Sequence, residues 1–461
     1  MTHPVFPPLK PMSTQRNRRL LLTLPACAVP MLSACGGGGD LTYDTEQSLY
    51  MVGDAITPNN PHTSSTTTNV PASWKPKFFV NPALPAGLVL NAQTGVISGT
   101  PTKLKRQATH TVTALSLKGS AEAKLRITVT GRGAWTPAAA LPGARRFASL
   151  TRLSDRTVLA AGGDMQFVAT TSAQIYESAS GSWRPAASMH LARSEHQAVA
   201  LADGRVLVLG GRLSLVDATG AAEIYNPATD AWTETGSMKE TRAGASAHLL
   251  PNGKVLVMGG YTVAPGLTYR DSAELYDPST GEWTLQTERM SLARGQHAGV
   301  LLPGGLQVLL VGGTGTKGYA QSIELYTLGS ATQSLVTYAG NGGPHCAVVL
   351  DDGSVLIVTS GIERVRRLNP ATMTWTETVL SDVHVAPTMN LLSDGRVLLA
   401  GGTGDNSCRI FNPDVNLWTA AAPMNGPRQF GSSVLLGDGS VLAVGGVLRG
   451  AYLETAERYI P

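Results

Sequence analysis

Short apolar runs set between Gly, Pro, Asn and Asp recur along the chain from about residue 40 onward. THTVTAL (109–115) and AKLRITVT (123–130) alternate polar and apolar side chains, the two-residue period of strands with one buried face. Beyond residue 131 the runs become apolar throughout: VLVL (206–209), VLVM (255–258), VLIV (355–358), VLLA (397–400) and VLAV (441–444). Four such residues between turn signals predict strands buried on both faces. Charged residues make up 15% of the chain, against 51 Gly and 28 Pro, which suits strands and turns. The fold class read from this pattern is all-β.

The buried runs are copies of one phrase. Each follows an Asp-Gly or related turn, as in DGRVLVLGG (203–211) and DGSVLAVGG (438–446), and a Gly pair or its stand-in closes each copy at 163, 211, 260, 313, 361, 402 and 446. A period in the forties built from strands marks a repeat architecture. An aromatic residue and then Trp follow most copies: QIYESASGSW to Trp183, EIYNPATDAW to Trp232, ELYDPSTGEW to Trp283, RIFNPDVNLW to Trp418. One repeat reads as four antiparallel strands, about SEHQAVAL, RVLVLG, AAEIYN and WTETG. The phrase resembles the kelch repeat, which implies a seven-bladed kelch β-propeller, as in galactose oxidase, over 132–461. ERYIP (457–461) reaches only a third strand, and GAWTPAA (133–139) supplies the missing fourth; pairing the N- and C-terminal strands closes the ring and removes exposed edges. The fourth copy lacks its Trp and the fifth has Leu368 in place of Tyr, so looser or register-shifted blades are expected there.

Residues 41–131 precede the repeats. LPAGLVLNAQTGVISGTPT (84–102) resembles the immunoglobulin-like stalk modules of bacterial surface proteins, implying a β-sandwich. Gly95 and Gly99 allow tight turns there, while Val96 and Ile97 supply β-branched core.

The N-terminal 1–34 reads as a leader: Arg16, Arg18 and Arg19 precede LLLTLPACAVPMLSA, which abuts Cys35. Met12 is a second candidate start. LSAC (32–35) resembles the lipobox of bacterial lipoproteins, which implies lipidation of Cys35, a Gly-rich tether over 35–40 and membrane attachment through the lipid. Gly36 after the cysteine implies outer-membrane sorting. The formal charge of +4 belongs to the leader, whose removal leaves 32 basic residues against 32 acidic ones. Such balance argues against nucleic acid as a partner. The mature chain keeps Cys346 and Cys408, at different places in the repeat.

One repeat position holds Arg145, Arg193, Arg242, Arg294 and Arg428, with Gly342 and His384 in the remaining two copies. Strand order puts this position at the channel mouth, where five guanidiniums and His384 are expected to bind an acidic ligand through bidentate hydrogen bonds. The competing reading pairs each Arg with a repeat glutamate such as Glu223, Glu274 or Glu324. Similar arginines in the kelch propellers of ubiquitin-ligase adaptors contact acidic side chains. Long connections rim blades one to four and seven, leaving a low side at five and six. His196, His297 and His345 share another position, but they lack the short spacing of a metal site, so no metal and no cofactor is expected. The aspartates of the Asp-Gly turns read as turn formers.

These features describe a lipid-anchored, monomeric protein of the bacterial cell envelope that displays a kelch propeller to a glycan or protein ligand without catalysis. The alternative is a carbohydrate-active kelch enzyme. It resembles either the sialic acid epimerases, with Glu195, Glu240 or His384 as acid/base, or less closely a copper-radical oxidase.

Overall fold

The computed structural model describes residues 40–63, 77–116, 119–330, 333–337, 345–359, 361, 363–402 and 406–461. The leader, Cys35 and Gly342 lie outside the described residues. Every regular element among the described residues is a strand.

The first domain is built on a four-stranded sheet in the order Gln47–Met51, Gly119–Thr130, Lys105–Ser116, Lys77–Asn81, the first pair parallel and the others antiparallel. Leu41, Phe78, Ile97, Val112, Leu125 and Ile127 form its core. Gly95 has φ of 74°, and a Cβ there would lie 2.6 Å from the Phe78 ring. Only glycine lets that turn close on the core.

Seven four-stranded antiparallel sheets follow among the described residues. The second is typical: Gln197–Ala200, Val206–Leu209, Ala222–Asn226 and Ala231–Thr235, in chain order. Its second strand is buried along its whole length, as an apolar run requires. The seventh sheet combines Ser432–Leu435, Val441–Val444 and Ala456–Ile460 with Ala134–Ala138, and Tyr459 pairs with Trp135. First strands of successive sheets are neighbours, and that of sheet seven adjoins that of sheet one. Leu368 pairs with Trp375 in sheet five as Tyr225 pairs with Trp232 in sheet two. The register shift expected there is absent, because fully buried Leu368 fills the ring's place.

Neighbouring sheets are stitched by the repeat residues. Trp232 Nε1 donates to Ala187 O at 2.7 Å and Trp283 Nε1 to Gly236 O at 2.6 Å, each reaching the chain that leaves the preceding sheet. The glycine pairs mark the closest approach. Gly210 has φ of 62°, and a Cβ there would fall 2.4 Å from Arg242 O.

The two domains meet at the Asp-Gly turns of sheets five and six. Arg106 bridges Asp351 at 2.7 Å and donates to Asp394 O at 2.5 Å, Gln107 N donates to Asp414, and buried Arg396 reaches Thr130 Oγ1 and Gly131 O, both at 2.9 Å. These turns close the far ends of the first strands, so the other ends stay clear of the first domain.

Candidate functional site

The five arginines do not present their guanidiniums to solvent. Arg193 and Arg294 are fully buried and Arg145, Arg242 and Arg428 nearly so. Arg193 Nη1 donates to Gly210 O and Ala221 O at 2.9 Å, and Nη2 to Glu223 at 2.6 Å. Arg242 with Glu274, Arg294 with Glu324, and Arg428 with Glu457 repeat the arrangement. Each glutamate also accepts backbone N–H groups of the loop entering its sheet, as Glu223 does from His190 and Leu191. The expectation of a cationic ring open to an acidic ligand is corrected, because these charges are spent inside each sheet. His384, also fully buried, holds Gly401 O at 2.7 Å through Nδ1 and faces Asp382, which takes over Arg409.

Arg145 departs from the set. Gln174 stands at the glutamate position, and the Arg145 guanidinium bonds instead to the carbonyls of Pro142, Gly143, Gly162 and Ser172 and to the Ser172 hydroxyl. Burial holds its pKa below the ordinary arginine value.

What reaches the mouth is the residue two places later. Phe147, Glu195, Gly244, Gln296, Ala386 and Phe430 all adopt φ between 51° and 58°, a left-handed conformation uncommon for side chains other than glycine. Main-chain bonds between neighbouring sheets link five of the six into a girdle around the mouth: Gly244 N to Glu195 O, Gln296 N to Gly244 O, and Phe430 N to Ala386 O. This turn brings all six residues to one cavity.

A cavity of about 390 Å³ lies inside the girdle, lined by these six residues together with His196, His297, Cys346 and Pro387 among others. On the side of sheets one and seven, Phe147 and Phe430 pack edge to face with centroids 5.6 Å apart. On the side of sheets two to four, Glu195 Oε2 accepts from Tyr261 OH at 2.8 Å and from Gln296 Nε2 at 2.9 Å, and Oε1 faces Arg212 at 3.4 Å. Burial, then the Glu195 charge, pushes the Tyr261 phenol well up, so Tyr261 is a neutral donor. Arg146 lies behind the aromatic pair and off the cavity lining, ion-paired with Asp164 and lying 4.9 Å from the Phe147 ring centre and 4.6 Å from that of Phe167.

The deeper lining is neutral. His196 and His297 meet the hydroxyls of Ser149 and Ser246 through Nε2, and burial pushes both pKa values down to about 3. Burial pushes the Cys346 thiol up to about 12, and its S–H donates to Pro387 O. Cys346 and Cys408 are both free thiols. Of the acid/base candidates, Glu195 lines the cavity; Glu240 bonds to Ser272 and Arg242 outside it; His384 is sealed in sheet six. Phe147, Gln296, Phe430, Tyr261 and Arg212 were missed from the sequence. For the first three, the signal was a fixed offset of two residues from the arginine column.

Comparison with known proteins shows the parts. The family model described as "Putative Ig domain" matches residues 41–130, and that for the "Kelch motif" matches 242–288. No curated protein matches the sequence. The fold is similar to a fungal alcohol oxidase of the AA5 family in complex with copper, at 15% identity and TM-score 0.58, over 72% of this chain and 76% of that one. A structure of YjhT aligns at 14% identity and TM-score 0.45, over 70% of this chain and 95% of that one. The two family matches and the likeness to the fungal structure show an immunoglobulin-like domain followed by a kelch-type β-propeller.

Proposed function

We propose that the chain is a non-catalytic binding protein whose seven sheets are the blades of a closed propeller, and that the cavity inside the girdle takes a neutral, polyhydroxylated ring such as a sugar unit of a glycan. The observation that carries this reading is the division of the cavity wall. The Phe147–Phe430 pair offers an apolar face, whereas Glu195 and Gln296 offer hydrogen-bonding groups from the other side. Small-ligand sites combine apolar walls with a few convergent polar groups in this way. Glu195 is the one charged side chain on the described lining, and Arg212 balances it, which favours hydroxyl donors over the sugar acids expected from the arginines. The lipobox-like LSAC (32–35) supports anchoring at Cys35 in a bacterial envelope, with outer-membrane placement.

The fungal neighbour holds copper, and the cavity residues here do not suit that ion. Among the described residues no three His, Cys, Asp or Glu side chains converge; His196 and His297 commit Nε2 to serine hydroxyls, and the Cys346 thiol is held protonated. Acid/base turnover would rest on Glu195 without a second carboxylate on the described lining, so binding is the reading the site favours.

The test is thermal unfolding of the full chain with neutral mono- and oligosaccharides, and with sugar acids as controls. A ligand at a hundred times its dissociation constant adds about 2.7 kcal/mol of stability. A rise in Tm with a neutral sugar, lost in Phe430→Ala, is expected. A rise with sugar acids alone, or conversion of a bound sugar to product, would overturn the reading.

A further inference from the structure

The aromatic wall does not stop at the cavity. The rings of Phe430 and Phe147 lie 5.6 Å apart, and the Arg146 guanidinium lies 4.9 Å from the Phe147 ring centre, 4.6 Å from that of Phe167 and 5.6 Å from that of Tyr452. Rings from sheets one and seven are thus joined around one cation, and of these only Phe147 and Phe430 line the cavity. Phe167 and Tyr452 stand outside the girdle, in the hairpins Asp164–Met165 with Val168–Ala169 and Val447–Leu448 with Ala451–Tyr452, which connect second to third strands. We propose that Phe167 and Tyr452 form a second subsite, which takes the next unit of a glycan chain whose first unit fills the cavity. The inference rests on the cavity reading given above and extends it from a single sugar to an oligosaccharide.

The chemistry of the strip says what covers it. Arg146 is 16% exposed, pairs with Asp164 at 3.1 Å, and exchanges main-chain bonds with the same residue at 3.1 and 3.0 Å. Its charge is already met, and its part is to hold the rings in place. The other charges on and beside the two hairpins are Arg449 and Glu454, one of each sign and both exposed. A surface made for anionic lipid would gather several basic residues. Exposed Gln166 and Arg449 stand at the two hairpin turns, so hydrogen-bonding groups flank the rings, and a wholly apolar partner would leave those groups unpaired. A sugar unit offers C–H groups on one face and hydroxyls at its edge, which suits aromatic rings with polar groups beside them. The cavity wall has the same composition.

The backbone holds one ring ready for this contact. Gln166 and Phe167 have φ of 53° and 66°, two successive left-handed residues where Asn-Gly is the usual choice. The hairpin keeps a large ring at a position that favours glycine and leaves it 48% exposed. Unfavourable backbone kept at a solvent-facing ring beside a cavity points to a use for that ring outside the fold. The first domain docks on the opposite face and leaves the strip open.

The experiment is calorimetric titration of the full chain with glucose, galactose, mannose and N-acetylglucosamine, each also as its linear disaccharide and tetrasaccharide. Phe167→Asn removes one ring with a residue that tolerates left-handed backbone; Tyr452→Ser removes the other should the first variant fail to fold; Phe430→Ala changes the cavity. For the sugar that binds, the oligosaccharide is expected to bind about tenfold more tightly than the monosaccharide. Phe167→Asn and Tyr452→Ser should lose that gain with monosaccharide affinity unchanged, whereas Phe430→Ala should weaken both. An oligosaccharide bound no more tightly than the monosaccharide, or a gain that survives in the subsite variants that fold, would overturn the second subsite and leave the cavity reading standing. Loss of monosaccharide binding in folded Phe167→Asn would also overturn it, by assigning that ring to the cavity itself. Absence of binding by every sugar would overturn the cavity reading and this inference with it.

Discussion

Arg193 and Glu223 meet at 2.6 Å with both side chains closed to solvent, and the pair fixes the loop entering sheet two to that sheet's third strand. Removing one partner strands a buried charge, which typically costs about 3–5 kcal/mol. Glu223→Ala is expected to lower the unfolding free energy by that order, read from the fall in the urea midpoint times the m-value. In a variant that still folds, sugar-induced thermal shifts should persist, since the pair lies outside the cavity. Loss of binding with stability unchanged would return Arg193 to the site.

Sheet one offers the reverse experiment. Gln174 Oε1 is buried without a partner, and Arg145 has no carboxylate. Gln174→Glu should therefore stabilise the chain, by about 1 kcal/mol in chemical denaturation. The gain is smaller than the loss in Glu223→Ala, because Pro142 has no N–H to offer where His190 serves Glu223.

Acid should weaken the fold through its histidines. Burial lowers the pKa of His196 and His297 to about 3 and of His248 to about 4, against about 6.5 in the unfolded chain. Their contribution is complete above pH 6.5 and is lost as pH falls toward the folded values, because the unfolded state alone takes up protons. Urea midpoints should fall between pH 7 and pH 5, and His248→Gln should flatten the slope.

Two glycines separate conformational from packing cost. Gly204 has φ of 85°, and a Cβ added there would meet nothing within 4 Å, whereas a Cβ on Gly210 would come to 2.4 Å from Arg242 O. Gly204→Ala should cost roughly 1–2 kcal/mol from backbone strain alone. Gly210→Ala should cost more than about 3 kcal/mol, read as the difference in denaturation midpoints.

Arg396 couples the domains through Thr130 and Gly131. Calorimetry of the full chain should show one transition, and Arg396→Ala should split it into two. An unsplit transition in that variant would place the coupling elsewhere, such as Arg106 with Asp351.

The repeated phrase determined much from sequence alone. Its apolar runs became second strands buried on both faces, its Tyr and Trp columns became cross-strand pairs, and its glycine pairs fell where backbones touch, because local period and φ preference are written residue by residue. Tertiary structure decided what faces the cavity. An arginine column near the mouth reads the same whether its side chain points into the cavity or back into the sheet, and the choice was made by Glu223 and Gly210 O, residues distant in sequence that offer partners away from water. The left-handed turns, tied between neighbouring sheets by the girdle bonds at Glu195, Gln296 and Phe430, then brought these residues and Phe147 to the cavity. Within one repeat these residues show only as a fixed offset of two from the arginine column, with no common residue type, which is why this ring of side chains emerged only when the sheets were brought together.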